Sequence, residues 1–436
     1  MSIPTLQGLQ TALSGLIAEQ SALDTTGSNI ANANTEGYSR ETAVLEPNTP
    51  LPIPAISDLT GKGAQLGTGV SVTTITRIRN TYLDAQYRTQ NSALSAATTQ
   101  AEVLEQAQSA FNEPSSAGIA SQLSNFWNAW NNLAASPTSE AAKEAVVSAG
   151  NQLTSTIKQL SSQLATISSQ ASAQYNALTG ANGEVESYAT QIAQLNGQIK
   201  LSEEAGQRPN SMLDRRDQLL DKLSGLANIT VSEEPDHMVT VSFGEAAKPL
   251  VQGTTVNWPQ ELTESAGGKL GALLSLTGAK GALTELQTGL DGVAEALAST
   301  VNEHLEKPFF SGKGAAALAV AATAAEVQAS GTKAVGGNEV AQQIAALRGG
   351  VAEQDYAALV EKVGGDVRTA TSDQTNLKTT LTAIGNQRQS VSGVSLDEEM
   401  TNLITYQRGY QASARTLTVM SEMLETLIEH TGRVGL

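Results

Sequence analysis

Several features that would assign the chain to a class are missing from it. Its 436 residues contain no cysteine, which excludes disulfides and cysteine-ligated metal sites. Aromatic residues make up 4% of the sequence, and many of the 40% hydrophobic residues are alanine, so bulky core side chains are scarce. We therefore expect thin interfaces between helices, an elongated molecule and more than one domain.

Basic residues and long apolar runs are also scarce. The 26 Lys and Arg residues face 43 Asp and Glu residues, and a net charge of -17 disfavours binding to a phosphate backbone, so we expect no nucleic acid partner. The longest apolar run, GAAALAVAATAA at 314–325, is shorter than the ~20 residues of a membrane span, so no span is expected. Residues 1–33 lack the basic start of a cleaved secretory signal.

Two heptad patterns lie at opposite ends of the chain and predict coiled-coil helices. The N-terminal seam consists of Leu6, Leu9, Leu13, Leu16, Leu23 and Ile30. The C-terminal seam consists of Leu403, Tyr406, Tyr410, Ser413, Leu417, Met420, Leu424 and Leu427. A capping box, with Ser395 as N-cap and Glu398 at N3, predicts where the C-terminal helix begins.

The N-terminal helix is predicted to stop at NIANANTEGYSR, residues 29–40. Asparagine competes with helical hydrogen bonds, and glycine adopts positive φ, so the stretch reads as a stop followed by a turn. The turn residues are Asn29, Asn32, Asn34, Gly37 and Tyr38. Because glycines at positions 8, 15 and 27 weaken this helix and its seam is narrow, we expect it to need partner helices. Gly8, Ala12 and Gly15 also form a small-residue face suited to close helix packing.

The rest of the pattern predicts a mainly α fold with a smaller β portion. Prolines and glycines after residue 46 predict an extended linker that ends in a strand at 70–78, and alternating segments at 229–256 predict a small β unit. The predicted segments are an N-terminal helix (1–35), an extended linker and strand (36–80), an elongated helical body (81–228), a small β-rich insertion (229–265), a helical segment (266–306), an irregular or reduced outer region (307–338), the returning helical body (339–391) and a C-terminal helix (392–436).

We find no pattern that predicts a catalytic, cofactor or metal site. GKGAQLG at 61–67 has Leu66 where a dinucleotide-binding loop requires its third glycine. The histidines, His237, His304 and His430, are isolated, and we interpret them as surface residues.

Other conspicuous groups have structural interpretations. Helix capping explains the acidic residues at 397–399, and interface packing explains Tyr406 and Tyr410. An aromatic cluster is expected to anchor a short helix in the body: Phe126, Trp127 and Trp130. The helix predicted at 211–226 is amphipathic, with leucines on one side. Its charged residues are predicted to form a solvated face: Arg215, Arg216, Asp217 and Lys222.

Four stretches resemble the flagellar axial proteins, and specifically the family of the first hook-associated protein, which joins the hook to the filament. They are SNIANANTEGYSRE (28–41), SMLDRRDQLLDKLS (211–224), the region from GGKLGALLSL to VNEHLEK (267–307), and SGVSLDEEMTNLITYQRGYQASARTLTVMSEMLETLI (392–428). Rod and hook proteins share the asparagine-rich block, whereas the Gly-Tyr-Ser-Arg ending, D-x-R-D-Q-L-L and Leu-Asp-Glu-Glu discriminate. Glu36 stands where the family usually has proline, which suggests a looser turn.

The resemblance implies that the terminal helices pair coaxially and line an inner tube, and that the turn at 29–40 takes the chain outward to the body. It implies a non-enzymatic, extracellular subunit of the bacterial flagellum without a cofactor, assembled into a ring or helical turn through the two seams. The implied partners are the hook protein, the second hook-filament junction protein and an export chaperone that covers the C-terminal helix. Export through the flagellar secretion channel without a cleaved signal is implied as well.

Three alternatives remain open at this point. A hook or other flagellar axial protein would have the same seams but assemble into long tubes. A secreted helical enzyme would need a pocket with convergent polar groups in the β insertion. A cytosolic coiled-coil scaffold would not be attached to flagella.

Overall fold

The computed structural model describes residues 4–53, 64–244, 248–331 and 336–431. The start of the GKGAQLG segment and the side chain of His430 lie outside that description. The fold is mainly α with a small β portion, as the sequence predicts.

Within these ranges the chain forms twelve α-helices. They are α1 (Pro4–Asn32), α2 (Thr81–Phe111), α3 (Ile119–Ala135), α4 (Glu140–Thr179), α5 (Glu184–Glu204), α6 (Asn210–Leu226), α7 (Gly268–Thr277), α8 (Ala282–Asn302), α9 (Gly314–Ala317), α10 (Glu339–Ala345), α11 (Val351–Ser392) and α12 (Leu396–Thr431). The predicted helical segments are interrupted within α4–α5 and α7–α8, because glycines at 180 and 183 and at 278 and 281 end one helix and begin the next.

In the described part of the chain, ten short strands pair with antiparallel neighbours. They are β1 (Glu41–Pro47), β2 (Leu51–Ile53), β3 (Ala64–Leu66), β4 (Val70–Arg77), β5 (Ile229–Glu233), β6 (Val239–Phe243), β7 (Val251–Gln252), β8 (Thr255–Val256), β9 (Phe310–Ser311) and β10 (Ala319–Val320). β1 pairs with β4, β2 with β3 and β9 with β10, and the four strands from β5 to β8 form one sheet in chain order. The strand predicted at 70–78 and the small β unit are confirmed, whereas β1 lies in a segment predicted only as linker.

The body has a core of large side chains from α2, α3, α4, α8 and α11. Phe126 of α3 packs against Trp127, Phe309 and Phe310, with ring centroids 5.0, 5.6 and 5.5 Å apart. Trp127 and Trp130 are 2% and 0% exposed. The aromatic cluster therefore anchors a short helix in the body, as predicted.

The described part of region 307–338 packs against this core. Phe309, Phe310, Leu318 and Val327 are at most 3% exposed, and Gly150 of α4 leaves room for Phe309. The region is irregular apart from β9, β10 and α9, and its apolar side chains complete the body.

A second cluster joins α5, α6 and α7 to the sheet of β5 to β8. Asn196 of α5 crosslinks the sheet, because its Nδ2 donates to the carbonyls of Val239 and Gly253 at 2.8 Å each. These two bonds fix the sheet to α5.

Candidate assembly site at the chain termini

The two terminal helices pack side by side in antiparallel orientation. A Cβ added to Gly8 of α1 would lie 2.5 Å from Cε of Met420 in α12, and farther along the pair Asn29 Nδ2 donates to Glu399 Oε2 at 3.1 Å. The two contacts are the same number of residues apart in each helix, which keeps one face of α1 on α12 along its length. The predicted pairing of the terminal helices is confirmed.

Small side chains form this contact face of α1. Its buried or closely packed members are Gly8, Ala12, Gly15, Ala22, Thr26 and Asn29. Leu6 and Leu13 of the N-terminal seam are 54% and 43% exposed, and Leu9, Leu16 and Leu23 are half-buried together with Ile30. The leucines therefore lie beside the contact with α12, while the small residues let the two backbones approach closely.

The C-terminal seam lies along the border of the same contact. Most of its members are half-buried: Leu403, Tyr406, Tyr410, Ser413, Leu417, Met420 and Leu424. Leu427 is 52% exposed. A further set of apolar side chains of α12 is exposed: Leu396, Met400, Ile404, Val419, Met423 and Ile428.

The paired strands β1 and β4 cover another side of α1. Val70 N donates to Ser14 Oγ at 3.3 Å, and a Cβ at Gly69, which has a φ of +98°, would lie 2.0 Å from the same Oγ. Ala18 and Thr25 are 2% and 6% exposed. We call α1, α12 and strands β1 to β4 the terminal rod. Its leucine-bearing side stays open to solvent.

Asn29 joins the elements at the base of the terminal rod. Its Nδ2 donates to the carbonyl of Glu41 at 2.9 Å and to Glu399, while its Oδ1 accepts from Tyr38 Oη and from Glu41 N, both at 2.9 Å. Asn29 is 1% exposed, and these four bonds use the full capacity of its amide for donating and accepting. An asparagine at this position therefore ties α1 to β1 and α12.

The remaining turn residues have separate roles. Asn32 Nδ2 donates to the carbonyl of Ser28 at 3.0 Å, and Asn34 is exposed. Gly37 has a φ of +77°, and a Cβ there would lie 2.1 Å from Nε2 of Gln218 in α6. The predicted positive φ is confirmed, and glycine is required both for the turn and for its contact with α6.

Arg40 connects this turn to the beginning of α12. Its N donates to the carbonyl of Ser392 at 2.8 Å, and its guanidinium pairs with Glu398 and lies 3.7 Å from Glu399. Ser395 Oγ accepts from Glu398 N at 3.5 Å, a long bond, so capping accounts for only part of the acidic cluster. The carboxylates also hold the turn against α12.

A network of charged side chains lies between this turn and the body. Ser39 Oγ donates to Asp214 Oδ1 at 2.7 Å. Ion pairs connect β4, α2, α6 and α11, among them Arg77 to Asp214 at 2.6 Å, Arg79 to Asp84 at 2.7 Å, Arg88 to Asp221 at 2.9 Å and Arg388 to Asp221 at 2.6 Å. Asp217 lies 3.0 Å from both Arg77 and Arg88. We call this network, with Asn29 and Arg40, the joint.

The joint is electrostatically balanced. Burial alone would raise the pKa of the Asp217 carboxyl, but Arg79, Arg77 and Arg88 outweigh it and lower that pKa to about 2. Burial likewise disfavours the charged form of Arg79, yet Asp217 and Asp84 raise its pKa above the ordinary value. Asp217 and Arg79 are therefore each stabilised in the ionised form by oppositely charged neighbours.

The prediction of a solvated charged face on α6 is wrong for two residues. Arg216 is 4% exposed and donates from Nη1 to Asn196 Oδ1 at 3.1 Å and to the carbonyl of His237 at 2.7 Å. The Asp217 side chain is 16% exposed within the joint. Arg215 and Lys222 are exposed as predicted. Arg216 is enclosed by α5 and the residues before β6, whereas Asp217 is covered by Arg77 of β4 and Arg88 of α2.

Sequence reasoning did not assign the aspartates of α6 to a site, although a signal was present. Asp214, Asp217 and Asp221 are three and four residues apart, so they lie on one side of the helix. The arginines that meet them come from β4, α2 and α11, and only the fold brings these elements together.

Neither a metal nor a membrane site emerges in the part of the chain that the structure describes. It contains no cluster of His, Asp and Glu residues able to hold a metal ion, and none of its helices is long and apolar enough to cross a membrane. His237 is exposed and His304 is half-buried.

Three family models match the sequence. Residues 104–266 match the helical domain of flagellar hook-associated protein FlgK. Residues 9–38 match the flagella basal body rod protein model, and residues 386–429 match the C-terminal model of the flagellar basal body rod FlgEFG proteins. The two rod models thus cover most of α1 and α12, and the FlgK model covers part of the body.

Individual relatives agree with these matches. Flagellar hook-associated protein 1 of Bacillus subtilis (strain 168) is 31% identical over an aligned length of 509 residues that covers 99% of both chains. The protein of the same name from Escherichia coli (strain K12) is 29% identical over 59% of this chain and 45% of its own length. The solved structure of the flagellar hook junction protein FlgK from Burkholderia pseudomallei is 25% identical, with a TM-score of 0.44 over 50% of this chain and 43% of that one.

Proposed function

The chain belongs to the flagellar hook-associated protein 1 family, and on this basis we propose that it is a structural subunit that joins the bacterial flagellar hook to the filament. It acts by assembly through its termini, without catalysis. We propose an extracellular location on the flagellum, reached through the flagellar secretion channel.

The distribution of exposed apolar side chains carries this proposal. Of the seventeen large hydrophobic residues that are exposed in the described ranges, three lie in α1, three in the hairpin strands β1 to β3 and seven in α12. The much larger body has the other four: Tyr82, Leu201, Val351 and Val391. An apolar surface this concentrated favours a protein partner, because burying each such side chain contributes about 1.5–3 kcal/mol.

Further copies of the chain are the first partners we propose. The N-terminal and C-terminal seams border one another along the terminal rod, so each rod offers an apolar strip that neighbouring rods can cover in a ring or helical turn. The hook protein and the second hook-filament junction protein would meet the rods at the two ends of that assembly.

An export chaperone is proposed for the time before assembly. The exposed residues of α12, such as Met400, Val419 and Met423, would otherwise be open to non-specific association in the cell. A chaperone that covers α12 would prevent this until the chain is exported.

A hook or other axial protein is the second candidate, because the rod models match both termini. The 509 aligned residues exceed the 436 of this chain, so the Bacillus subtilis relative contains segments without a counterpart here. This favours a member of the same family in which the outer part of the body, proposed at 307–338, is reduced.

The test is incorporation between hook and filament. Ile404→Asp and Met423→Asp place a charge on exposed apolar positions of α12, and Leu201→Asp is the control because Leu201 is 68% exposed on α5 of the body. In cells that lack the wild-type protein, the α12 variants should be made and exported yet fail to restore filaments and motility, whereas the control should restore both. Normal filaments with both α12 variants would contradict the proposal, and long tubes of this chain would favour the second candidate.

A further inference from the structure

Glu19 places a carboxylate in the middle of the contact between α1 and α12. A Cβ at Gly409 of α12 would lie 2.6 Å from its Cδ and Oε1 and 3.0 Å from its Oε2. Oε2 is buried and has no hydrogen-bond partner. Burial raises the pKa of Glu19.

The sequence of α12 provides the space that this carboxylate occupies. Gly409 lies inside a helix, where glycine costs about 1 kcal/mol relative to alanine. Any side chain at 409 would collide with the Glu19 carboxylate and displace it. The two positions together hold a negative charge against bare backbone, an arrangement that close packing alone does not require.

In the described terminal rod, no cation forms an ion pair with this carboxylate within one copy. Residues 1–33 contain no Lys or Arg, and the α12 positions one turn from Gly409, at 405, 406, 412 and 413, are uncharged. Arg40 and Arg77 pair with acidic residues of the joint. Glu19 is half-buried, and its buried Oε2 lacks a partner, so a cation supplied from outside the copy would stabilise the carboxylate further.

The same helix carries two suitable cations that are not used. Arg408 and Arg415 are exposed, and neither forms an ion pair in the described chain. They follow Ile404 and precede Val419 at helical spacing, so two exposed apolar residues flank two exposed arginines. If this strip of α12 packed against the rod of a second copy, it would present both apolar side chains and positive charge to that rod.

We propose that in the assembled state Glu19 of one copy forms an ion pair with Arg408 or Arg415 of α12 in a second copy. The inference rests on the self-assembly proposed above and specifies one contact within it. The pair would compensate the desolvated carboxylate only after assembly, so the same residue weakens the free rod and strengthens the assembled one.

Two readouts on the purified full chain separate this role from a structural one. We would measure thermal unfolding of the monomer and the concentration at which the chain self-assembles, by sedimentation, for wild type and Glu19→Gln. Asp24→Asn is the matched control, because Asp24 is the other acidic residue of α1 and is exposed. Glu19→Gln should leave the monomer as stable or more stable, yet raise the assembly concentration at least about tenfold. Asp24→Asn should change neither.

Unchanged assembly of Glu19→Gln beside an assembling wild type would overturn the ion pair and leave the proposed function standing. If the wild type itself formed no assembly at any concentration, the proposed self-assembly would fail and the ion pair with it.

Charge exchange identifies the arginine. Glu19→Arg, Arg408→Glu and Arg415→Glu should each impair assembly, and Glu19→Arg combined with one of the two arginine variants should recover most of it. Recovery by one combination supports the pair directly. If Glu19 only shaped the contact between α1 and α12, reversing the charge of an arginine as well would not restore assembly. Failure of both combinations to recover any assembly would overturn the proposal.

Discussion

The body and the terminal rod distribute their apolar side chains in opposite ways. In the body, Phe126, Trp130 and Phe309 are fully buried, and few large apolar side chains face solvent. In the rod, the buried side chains of α1 are alanines, threonines and Asn29, while Leu6, Leu13 and Ile17 are exposed. The body buries most of its large apolar side chains within one copy, whereas the rod leaves many of them exposed to contact another molecule.

This difference teaches that the two regions are stabilised at different stages. A core of interlocking aromatic and aliphatic side chains stabilises the body within a single copy. A pair of helices with small residues between them buries little area and should be marginal until neighbours cover it. The joint lies between the rod and the body and connects them through hydrogen bonds and ion pairs.

The largest effect should come from the core of the body. Phe126→Ala removes a ring that contacts four other aromatic side chains and should lower the free energy of unfolding by about 3–5 kcal/mol. Urea denaturation monitored by tryptophan fluorescence would measure it, with Tyr82→Ala, at a side chain that is 68% exposed, as the control. A loss below about 1 kcal/mol would mean that the body is not the self-sufficient region.

The joint should make the stability depend on pH. In the folded protein the pKa of Asp217 is lowered from 3.8 to about 2, which corresponds to roughly 2 kcal/mol of stability. Because the folded pKa is the lower one, this contribution is fully present above the unfolded pKa and is lost as pH falls from about 4 toward 2.

Urea denaturation at several pH values between 5 and 2.5 would test this, comparing wild type with Asp217→Asn. The variant should be less stable at pH 5 and should lose less stability on acidification. Parallel pH profiles would show that Asp217 does not contribute in its ionised form.

A smaller and more local effect should follow from Asn29→Ala. The substitution leaves the carboxylate of Glu399 and the N and O of Glu41 without their shared partner, at a cost of about 1–3 kcal/mol. Hydrogen exchange should speed up in residues 30–41 and at the start of α12 but not in α3 or α4. Asn34→Ala, at an exposed position of the same turn, should leave exchange unchanged, and equal effects of both variants would argue against the role of Asn29.

The smallest effect should come from the open side of the rod. Leu13→Ser and Ile17→Ser alter side chains that are 43% and 54% exposed, so monomer stability should change by no more than about 0.5 kcal/mol. Thermal unfolding of the monomer would measure this. A destabilisation near that of Phe126→Ala would break the comparison, because these leucine-face residues would then be needed within a single copy.

Particular residues show how far the sequence could be interpreted. The heptad spacing located both terminal helices, and Gly37 marked the turn, because local backbone preferences determine positive φ. The helix stop was predicted too early, because Asn29 and Asn32 still belong to α1 and the side chain of Asn29 is used for tertiary hydrogen bonds. The same spacing did not reveal which face of α1 meets α12. The heptad pattern is recognised by its leucines. The contact between α1 and α12 instead uses Gly8, Gly15 and Ala22, because a close approach of the two backbones favours small residues.

The sequence by itself determined the mainly α fold, the small β unit and the two terminal helices, because periodicity and propensity act over a few turns of chain. Its motifs indicated the family, and the pairing of the terminal helices was expected only through that resemblance. Only the tertiary structure decided that Arg216 and Asp217 are buried, that β1 pairs with β4, and that Glu19 faces Gly409. Burial and ion pairing depend on elements that are distant in sequence, so the same charged helix face is solvated or enclosed according to what packs on it.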